Sequence, residues 1–440
     1  QVRNPRSSSS GARRNHCPPT DMAKLTAAIL LALCANSAYG FMVPSSLPLR
    51  ATARAAAVSR GRMLPLMQET AVQDRAQDVG EGQASERKAA ESLMQQCPET
   101  IWGPTVDIEA EQQKLKDAEL PEFPTYVHKP ADVTDEAAYF AENKDMLLAK
   151  LQEHGAVVLK GFSTTGEPEG FEGMWKTLGM EACLDPLHSV AGRPVVSGKN
   201  AVYEAVNKPS RAKFFVGMHN EMVGKRTVRK AAFVCFKQAE KGGEFLLTDG
   251  RRMLRDVDAS VLRRWYDNKI RFSSAELPMA FMDSLGPLQS VAEPAVKALT
   301  QVAVDMKVDF DVEMFWNRVD GKRVIQAHAP PQPPVIQHPD TGLPTWFCNV
   351  HSHSLVLRDE RDGVLPETTG ASRLNKSDCL FGDGTAIPIE DLRHIDEVTR
   401  KNIVPVLMEK GDVCLIDNYR AMHGRDVFEG TRKHAVTWFK

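Results

Sequence analysis

The residues with the clearest chemical potential are His219 and Glu221, two positions apart at the end of the apolar run Phe214–Met218. In an extended chain, residues i and i+2 point to the same side, so an imidazole and a carboxylate would project together from a strand end. These groups are two of the three ligands in the two-histidine-one-carboxylate site, which leaves iron positions open for other ligands. A solvent-facing pair would show the same spacing, so this motif alone is weak evidence.

A segment near the C-terminus supplies a third candidate ligand. The sequence GDVCLIDNYRAMHGR, from Gly411 to Arg425, predicts a strand, a short polar connection, and then His423 before a glycine. Arg432 lies nine residues after His423 and would open the last strand, so the two could occupy adjacent strands. An arginine fork binds a terminal carboxylate through paired hydrogen bonds, which suits 2-oxoglutarate chelating iron by its other end. A satisfied polar residue at a strand end for His423, and a surface ion pair for Arg432, remain alternatives.

Taken together, these pieces resemble the TauD/TfdA family of Fe(II)- and 2-oxoglutarate-dependent dioxygenases, in its clavaminate synthase-like branch. The likeness covers roughly residues 135–440 and is carried by H-x-E, the C-terminal block and shorter matches at Gly155–Phe162, Gly242–Glu244, Trp346-Phe347 and Phe381–Gly384. The resemblance implies iron ligands at His219, Glu221 and His423, which would be the catalytic centre, and a 2-oxoglutarate arginine at Arg432.

The resemblance also implies a reaction. It would use O2 and 2-oxoglutarate to hydroxylate or desaturate a small polar, often carboxylated substrate, releasing succinate and CO2. Chlorinating relatives leave vacant the iron position that Glu221 would fill, so chlorination is not expected. Substrate choice would depend on pocket-lining segments around residues 185–212 and 355–375.

Two positions depart from the family's pattern. The family usually has threonine after its Gly-Gly-Glu or Gly-Gly-Asp, and this chain has Phe245, with Thr248 three residues further on as the candidate cosubstrate hydroxyl. The family often has asparagine after Trp-Phe, and here Cys348 comes first and Asn349 follows. Because Phe245 could weaken cosubstrate binding, a non-catalytic small-molecule-binding domain on the same fold is the alternative function.

A further histidine pair, His351 and His353, also has the spacing of metal ligands in a strand. The strand would be Thr345–Val350 and its extension. Both side chains could line the pocket, but the triad already supplies a complete ligand set, so we do not expect them to bind metal.

The surrounding sequence predicts the scaffold for these residues. Short runs rich in valine, phenylalanine and tryptophan, bounded by turns, indicate strands, and longer amphipathic stretches indicate helices. The fold class is therefore α+β, with a double-stranded β-helix (jelly-roll) core and flanking helices. The other predicted strands are Ala156–Leu159, Ala231–Phe236, Val413–Ile416 and Ala435–Phe439, and the helices Glu136–Glu153, Val257–Tyr266, Val291–Val308 and Ile389–Asn402.

Residues 1–120 have the composition of targeting peptides followed by a connecting segment. Residues 1–40 combine upstream leader with a signal peptide that starts at Met22 and has the apolar run Leu25–Cys34, and residues 41–68 contain arginine but no acidic residue. Signal plus transit peptide resembles the bipartite presequences of algae with secondary plastids, which predicts a plastid protein, with a secreted protein as the alternative. Residues 69–120 would be a polar extension or linker and residues 121–440 the oxygenase domain.

Composition restricts the partners. A formal net charge of -2 and a sequence pI near 6.7 give no basic surface for nucleic acid, and no membrane partner is expected for the mature form. The eight cysteines show no C-x-x-C pair, so we expect buried thiols instead of a zinc site or a disulfide framework. The sequence does not indicate an oligomeric state.

Overall fold

The computed structural model describes residues 94–186, 193, 195–198, 201–205, 207, 212–305, 311–319, 321–361 and 378–440. The segments predicted to be a signal and a transit peptide lie outside these residues, as do parts of the two predicted pocket-lining segments. Among the described residues, no helix combines the length and the apolar character needed to cross a membrane.

The elements are numbered here in chain order within the described residues. The helices α1–α10 are Ile108–Asp117, Glu136–Glu142, Lys144–His154, Pro168–Thr177, Gly250–Asp256, Ala259–Asn268, Gln289–Asp305, Val350–His353, Leu355–Arg361 and Ile389–Asn402, with short 3-10 turns at Thr164–Gly166 and Ala280–Leu288. The strands β1–β11 are Thr125–His128, Ala156–Lys160, Ala182–Cys183, Val195–Ser197, Val202–Glu204, Val216–His219, Met222–Val223, Arg226–Thr227, Lys230–Lys237, Lys241–Gly242 and Phe245–Asp249. The strands β12–β22 are Ile270–Pro278, Glu313–Val319, Lys322–His328, Val335–Gln337, Pro344–Trp346, Asp378–Phe381, Val404–Val406, Val413–Asp417, Ala421–Arg425, Phe428–Glu429 and Lys433–Phe439.

The larger sheet of the core has the strand order β1-β2-β19-β9-β22-β5-β4, with β3 paired to β22. Its central strands are buried along their length because both faces are covered. Alternate residues of β2 show the division: Val157 and Leu159 pack against α2–α4, while Ala156 and Val158 face the second sheet.

The smaller sheet has the order β18-β11-β20-β6 and lies across from the larger one. Phe245 and Leu247 of β11 share a core cluster with Phe233 of β9 and Val436 of β22, so these side chains fill the space between the sheets. Two facing, mostly antiparallel sheets with interdigitated inner faces form the predicted jelly-roll core, and the α+β fold class is confirmed.

Helices cover the outer face of the smaller sheet. Leu246 and Met422 point outward and pack in one cluster with residues of α1, α5, α6 and α10. Helix α1, from the segment predicted to be a polar extension, is tied to this layer because Gln112 donates to the carbonyls of Leu254 and Val257 at 2.9 and 2.6 Å. A separate sheet of β13-β14-β12-β17 has its own small core with α7 and forms an insertion in the chain.

Four of the five predicted strands are confirmed to within two residues at each end, whereas the strand predicted as Thr345–Val350 ends at Trp346. Three predicted helices also need adjustment. Glu136–Glu153 is two helices, because Asn143 leaves helical geometry and its side chain donates to the carbonyl of Tyr139. The second helix begins later than predicted, at Ala259, because Asp258 caps it by accepting from the backbone N–H of Ser260. The third is observed over Gln289–Asp305, and residues 306–310 lie outside the described part.

Gly155 connects α3 to β2 and shows why the entry to the core needs a glycine. Its φ is +79°, and a Cβ there would lie 2.7 Å from Cδ of Arg420. Both the left-handed conformation and the close approach exclude a larger residue. The six described cysteines are buried, as predicted, and no two of them form a disulfide.

Candidate metal centre

Two neighbouring strands of the smaller sheet bring the three predicted ligands together. His219 ends β6, His423 lies in the middle of β20, and the two residues are directly paired in the antiparallel register. Glu221 follows β6 by two positions and returns to the same side of the chain. The carboxylate and the two imidazoles therefore converge from residues that are more than 200 positions apart in sequence.

The donor atoms of the three residues lie within 4.8 Å of one another. Oε1 of Glu221 is 3.3 Å from Nε2 of His423 and 3.8 Å from Nε2 of His219, and the two imidazole centroids are 4.4 Å apart. With metal–ligand bonds of about 2.1 Å, ligands at right angles to one another are separated by roughly 3 Å. The separations are close to what a single divalent ion needs.

The protonation states of His219, at the end of β6, and of Glu221, two residues later, also suit a metal. Burial, with a further contribution from His423, lowers the pKa of His219 to about 3, so its imidazole is neutral near pH 7. Burial alone would raise the pKa of the Glu221 carboxyl, but Arg193 and His423 lower it well below its ordinary value. Nδ1 of His219 lies 2.8 Å from the carbonyl of Gly217 and donates a hydrogen bond to it. The lone pair of Nε2 therefore remains available for a metal. The donor set, its spacing and this tautomer fit Fe(II).

The backbone that carries Glu221 is held by two asparagine side chains. Asn418 accepts from the Glu221 N–H at 2.8 Å and donates to the Glu221 carbonyl at 3.1 Å. Asn349 makes the equivalent pair with the N–H and carbonyl of Asn220, at 2.8 and 3.1 Å. A side-chain amide offers both a donor and an acceptor, so each asparagine fixes the backbone N–H and C=O of one residue at the ligand site.

Arg193 also reaches the site; it lies in the segment 185–212 that was predicted to line the pocket, but no motif identified this residue. Its Nη2 lies 2.5 Å from Oε1 of Glu221 and its Nη1 lies 3.2 Å from Oε2, which makes a partly buried bidentate ion pair. The guanidinium also stacks 4.7 Å from the ring centroid of Trp438. A lone arginine in a loop carries no spacing signal, and only the fold places it here.

Arg432 is buried a short distance along the same inner space, just before β22. Its hydrogen-bond partners among the described residues are neutral: Nε donates to the carbonyl of Gly243 at 3.2 Å, and Nη1 donates to the carbonyl of Ala205 and to Oδ1 of Asn207. Burial, and then the nearby Arg425, lower the pKa of Arg432 to about 9. Among the described residues, this buried cation has no carboxylate as a salt-bridge partner, so an anionic ligand would complete it.

His434 lies beside Arg432 and adds a second incomplete group. Asn207 links the two, because its Oδ1 accepts from both Arg432 and the backbone N–H of His434. Nδ1 of His434 is buried without a hydrogen-bond partner among the described residues. Burial and the charges of Arg432 and Arg425 lower the pKa of His434 far below its usual range. His434 was not among the predicted site residues. It follows Arg432 by two positions, and in an extended strand that spacing places both side chains on the same face, which could have identified it.

The structure corrects the expectation that Thr248 supplies the missing cosubstrate hydroxyl. Phe245 and Leu247 of β11 face the inner space, and the Phe245 ring lies stacked at 5.9 Å from His423. Thr248 pairs with Met422, whose side chain belongs to the outer core cluster, so Thr248 points to the opposite face of the sheet. Its buried hydroxyl cannot replace a threonine at the position of Phe245.

The histidine pair at 351 and 353 is not in a strand, and this prediction is corrected as well. After the short strand β16 the chain turns into α8, where the N–H of His353 bonds to the carbonyl of Asn349. Nδ1 of His351 accepts from the N–H of Met218 at 2.8 Å, and Nδ1 of His353 lies 3.1 Å from the carbonyl of Asn349. Both therefore support the backbone near the site, and neither joins the metal-ligand group of the described residues.

Comparison with known proteins yields one family match. The profile of the "taurine catabolism dioxygenase TauD, TfdA family" matches residues 119–438, which is 320 of the 440 residues. The matched segment contains all three residues of the candidate metal centre and Arg432.

The individual proteins that this chain resembles share less than a quarter of its residues over the aligned segments. The dapdiamide synthesis protein DdaC of Enterobacter agglomerans is 24% identical over 284 residues, which cover 64% of this chain and 81% of the relative. A clavaminate synthase-like protein of Arabidopsis thaliana is 23% identical over 301 residues, with 66% and 83% covered. Among solved structures, the PvcB protein of Pseudomonas aeruginosa matches at 14% identity with a TM-score of 0.41, covering 71% of this chain and 84% of that one. An asparagine oxygenase solved with Fe(II), 3-hydroxyasparagine and succinate matches at 14% identity and a TM-score of 0.38, with 80% and 89% covered.

Proposed function

This chain belongs to the taurine catabolism dioxygenase TauD, TfdA family, and we propose on that basis that it oxidises a C–H bond of a small polar, carboxylated substrate. It is a non-haem Fe(II)- and 2-oxoglutarate-dependent dioxygenase. The reaction is hydroxylation or desaturation, with release of succinate and CO2. The observation that carries the proposal is the convergence of the donor atoms of His219, Glu221 and His423 within 4.8 Å, together with the buried Arg432, which has no carboxylate partner among the described residues.

The assigned roles follow from the geometry of the site. His219, Glu221 and His423 would hold the iron, because two imidazoles and one carboxylate are the ligand set typical of non-haem Fe(II) oxygenases. Arg432 binds the far carboxylate of 2-oxoglutarate, since its guanidinium is buried and its acceptors within the described part of the chain are all neutral. When bound, iron with 2-oxoglutarate supplies the activation of O2 that C–H oxidation requires.

The remaining residues of the inner space keep the site ordered and dry. Phe233 and Phe245 lie 4.7 and 5.9 Å from the His423 ring and exclude water from that side. Asn418 and Asn349 fix the peptides on either side of Asn220, so the Glu221 carboxylate is positioned before any ligand binds. Glu221 supplies the third ligand that a chlorinating enzyme would lack, which favours oxygen insertion or desaturation.

The domain organisation and the address of the protein are further parts of the proposal. We assign residues 121–440 to the oxygenase domain and residues 69–120 to an extension. The arginine-containing, acid-free composition of residues 41–68, after a signal-like segment, supports plastid import. Secretion is the alternative destination.

The test is an anaerobic titration of the metal-free full chain with Fe(II) and 2-oxoglutarate, following the weak visible charge-transfer band of the iron–cosubstrate chelate. We expect the band in the wild type. We expect Arg432→Met to require at least ~100-fold more 2-oxoglutarate, because removing one partner of a buried charge pair costs about 3 kcal/mol or more. Arg264→Met, which removes a guanidinium paired with Asp391 on a distant helix, serves as the matched control and should leave the band unchanged.

Each other outcome has a distinct meaning. If the wild type binds iron without forming the band, the enzymatic reading fails and the alternative, a small-molecule-binding domain in which Phe245 has replaced the cosubstrate contact, is supported. If Arg432→Met keeps the wild-type titration, the chain uses 2-oxoglutarate but Arg432 is not the residue that binds it.

A further inference from the structure

Arg193 occupies the side of Glu221 that faces the proposed metal position. Oε1 of Glu221 is the oxygen that lies 3.3 Å from His423 and 3.8 Å from His219, and the same oxygen accepts from Nη2 of Arg193 at 2.5 Å. Nη1 contacts the other oxygen, Oε2, at 3.2 Å. The guanidinium and a metal ion would therefore bind the same atom.

Two cations at this position would repel each other strongly. A metal ion about 2.1 Å from Oε1 could lie no further than roughly 4.6 Å from Nη2, the sum of that bond and the observed contact. Glu221 is the only carboxylate of the ligand set and is buried, so a dication and a guanidinium would share one negative charge with little screening.

We propose that Arg193 competes with the metal ion for Oε1 of Glu221: it neutralises the carboxylate in the metal-free chain, and metal binding displaces at least its Nη2 contact. The inference concerns the same site as the proposed function and rests on it for the identity of the metal. Arg193 is a positioning residue in this role, because it acts through Glu221.

The surroundings of Arg193 keep the displaced side chain close to the site. Its backbone N–H donates to Oδ2 of Asp185 at 2.5 Å, and its guanidinium stacks on Trp438. The freed Nη2 would be a buried donor in need of an acceptor, and leaving such a group unpaired is unfavourable. An anionic group on the substrate satisfies this need, which assigns the carboxylate of the proposed substrate to Arg193.

The sign of one measurement separates competition from a purely structural role. If Arg193 only orients Glu221, its removal weakens metal binding, because the carboxylate loses its fixed position. If Arg193 competes, its removal strengthens metal binding, because an unpaired buried carboxylate gains more from a cation.

The experiment is a titration of the chelator-stripped full chain with Mn(II) alone, in which electron paramagnetic resonance quantifies the free ion. We expect Arg193→Met to lower the Mn(II) dissociation constant by about tenfold or more, Arg193→Lys to have an intermediate effect, and the control Arg264→Met to match the wild type. Arg193→Gln provides the same comparison if Arg193→Met does not fold. The metal-induced rise in Tm should increase in the same order, since the metal-free variants lack the ion pair.

Unchanged or weaker Mn(II) binding in both Arg193→Met and Arg193→Gln, with a normal wild-type titration, would overturn the inference and leave the proposed function intact. If Mn(II) fails to bind to all of these proteins, the wild type and both Arg193 variants as well as Glu221→Gln, the metal site is refuted, and both proposals fail with it.

Discussion

The two ends of the β11–β20 strand pair treat buried charge in opposite ways. At the end marked by Asp249 and Ala421, the carboxylate of Asp249 accepts hydrogen bonds from Nε and Nη2 of Arg420 at 3.1 and 2.8 Å. Both side chains are almost fully buried. At the end marked by Phe245 and Arg425, Arg432 contacts only neutral oxygens and His434 has an unpartnered Nδ1 within the described residues. The same pair of strands thus has a buried ion pair at one end and, at the other, a buried cation without a carboxylate partner among the described residues.

This difference indicates which buried polar groups stabilise the fold and which await a ligand. A buried charge without a partner is unfavourable, so a fold retains one only where something else completes it. Away from the site, Glu136 illustrates completion: its carboxylate accepts from Ser163, Thr164 and Lys129, and these hydrogen bonds lower its pKa to about 2 despite burial. Three substitutions test whether the distinction holds.

The largest effect is expected from His423→Ala, at the incomplete end. Removing one of three ligands opens the metal site, so succinate formation from 2-oxoglutarate should fall to the assay background. The variant should still fold, because Nδ1 of His423 makes no hydrogen bond within the described residues. His128→Ala, at an exposed position of strand β1, is the control and should retain wild-type turnover. Full activity in His423→Ala would refute the assignment of the metal centre.

A smaller effect, on stability instead of chemistry, is expected from Asp249→Asn at the completed end. The substitution leaves Arg420 buried without its counter-ion, which should lower the free energy of unfolding by about 3–5 kcal/mol in urea titrations. Metal binding by the folded fraction should be unchanged, since Asp249 contacts none of the ligands. The double variant Asp249→Leu/Arg420→Met should recover part of the loss. A loss below about 1 kcal/mol for Asp249→Asn would mean that the pair is not a stabilising unit.

Much of this architecture follows from local sequence. The strands of the jelly roll are recognisable because buried β-branched and aromatic residues recur between turn residues, and β19 follows directly from Gly411-Asp412. The ligand triad could be predicted because H-x-E projects two groups from a strand end, and because the segment around His423 adds the third. These signals depend on one or two neighbouring strands.

Other features depended on the tertiary structure or on a periodicity that the sequence analysis did not use. The position of Arg193 on Glu221 is a contact between residues 28 apart, and no motif includes Arg193 itself. Thr248 is a different case: it lies three residues from Phe245, and an odd separation in a strand means opposite faces. The helix at Val350–His353 was missed because the apolar residues before it are typical of a strand, whereas the turn is made by hydrogen bonds to Asn349.

The smallest effect is expected from His434→Leu, and it tests the comparison most directly. If the hydrogen-bond partner of His434 Nδ1 is a ligand, the substitution removes a buried polar group that has no partner among the described residues of the ligand-free chain. The free energy of unfolding should then stay within about 1 kcal/mol of the wild type or rise, unlike that of Asp249→Asn. Affinity for 2-oxoglutarate should fall roughly tenfold, because a hydrogen bond to a carboxylate contributes about 1.5 kcal/mol or more.

Titrating the same variant with 2-oxobutyrate, which lacks the far carboxylate, identifies the group that His434 contacts. Affinity for this analogue should not change, since Arg432 and Asn207 place His434 beside the far carboxylate and away from the iron-chelating end. A loss of stability comparable to that of Asp249→Asn, with 2-oxoglutarate affinity intact, would show that His434 belongs to the scaffold. In that case an unpartnered buried nitrogen would not be sufficient to identify a ligand contact in this fold, and only Arg432 would distinguish the two ends of the strand pair.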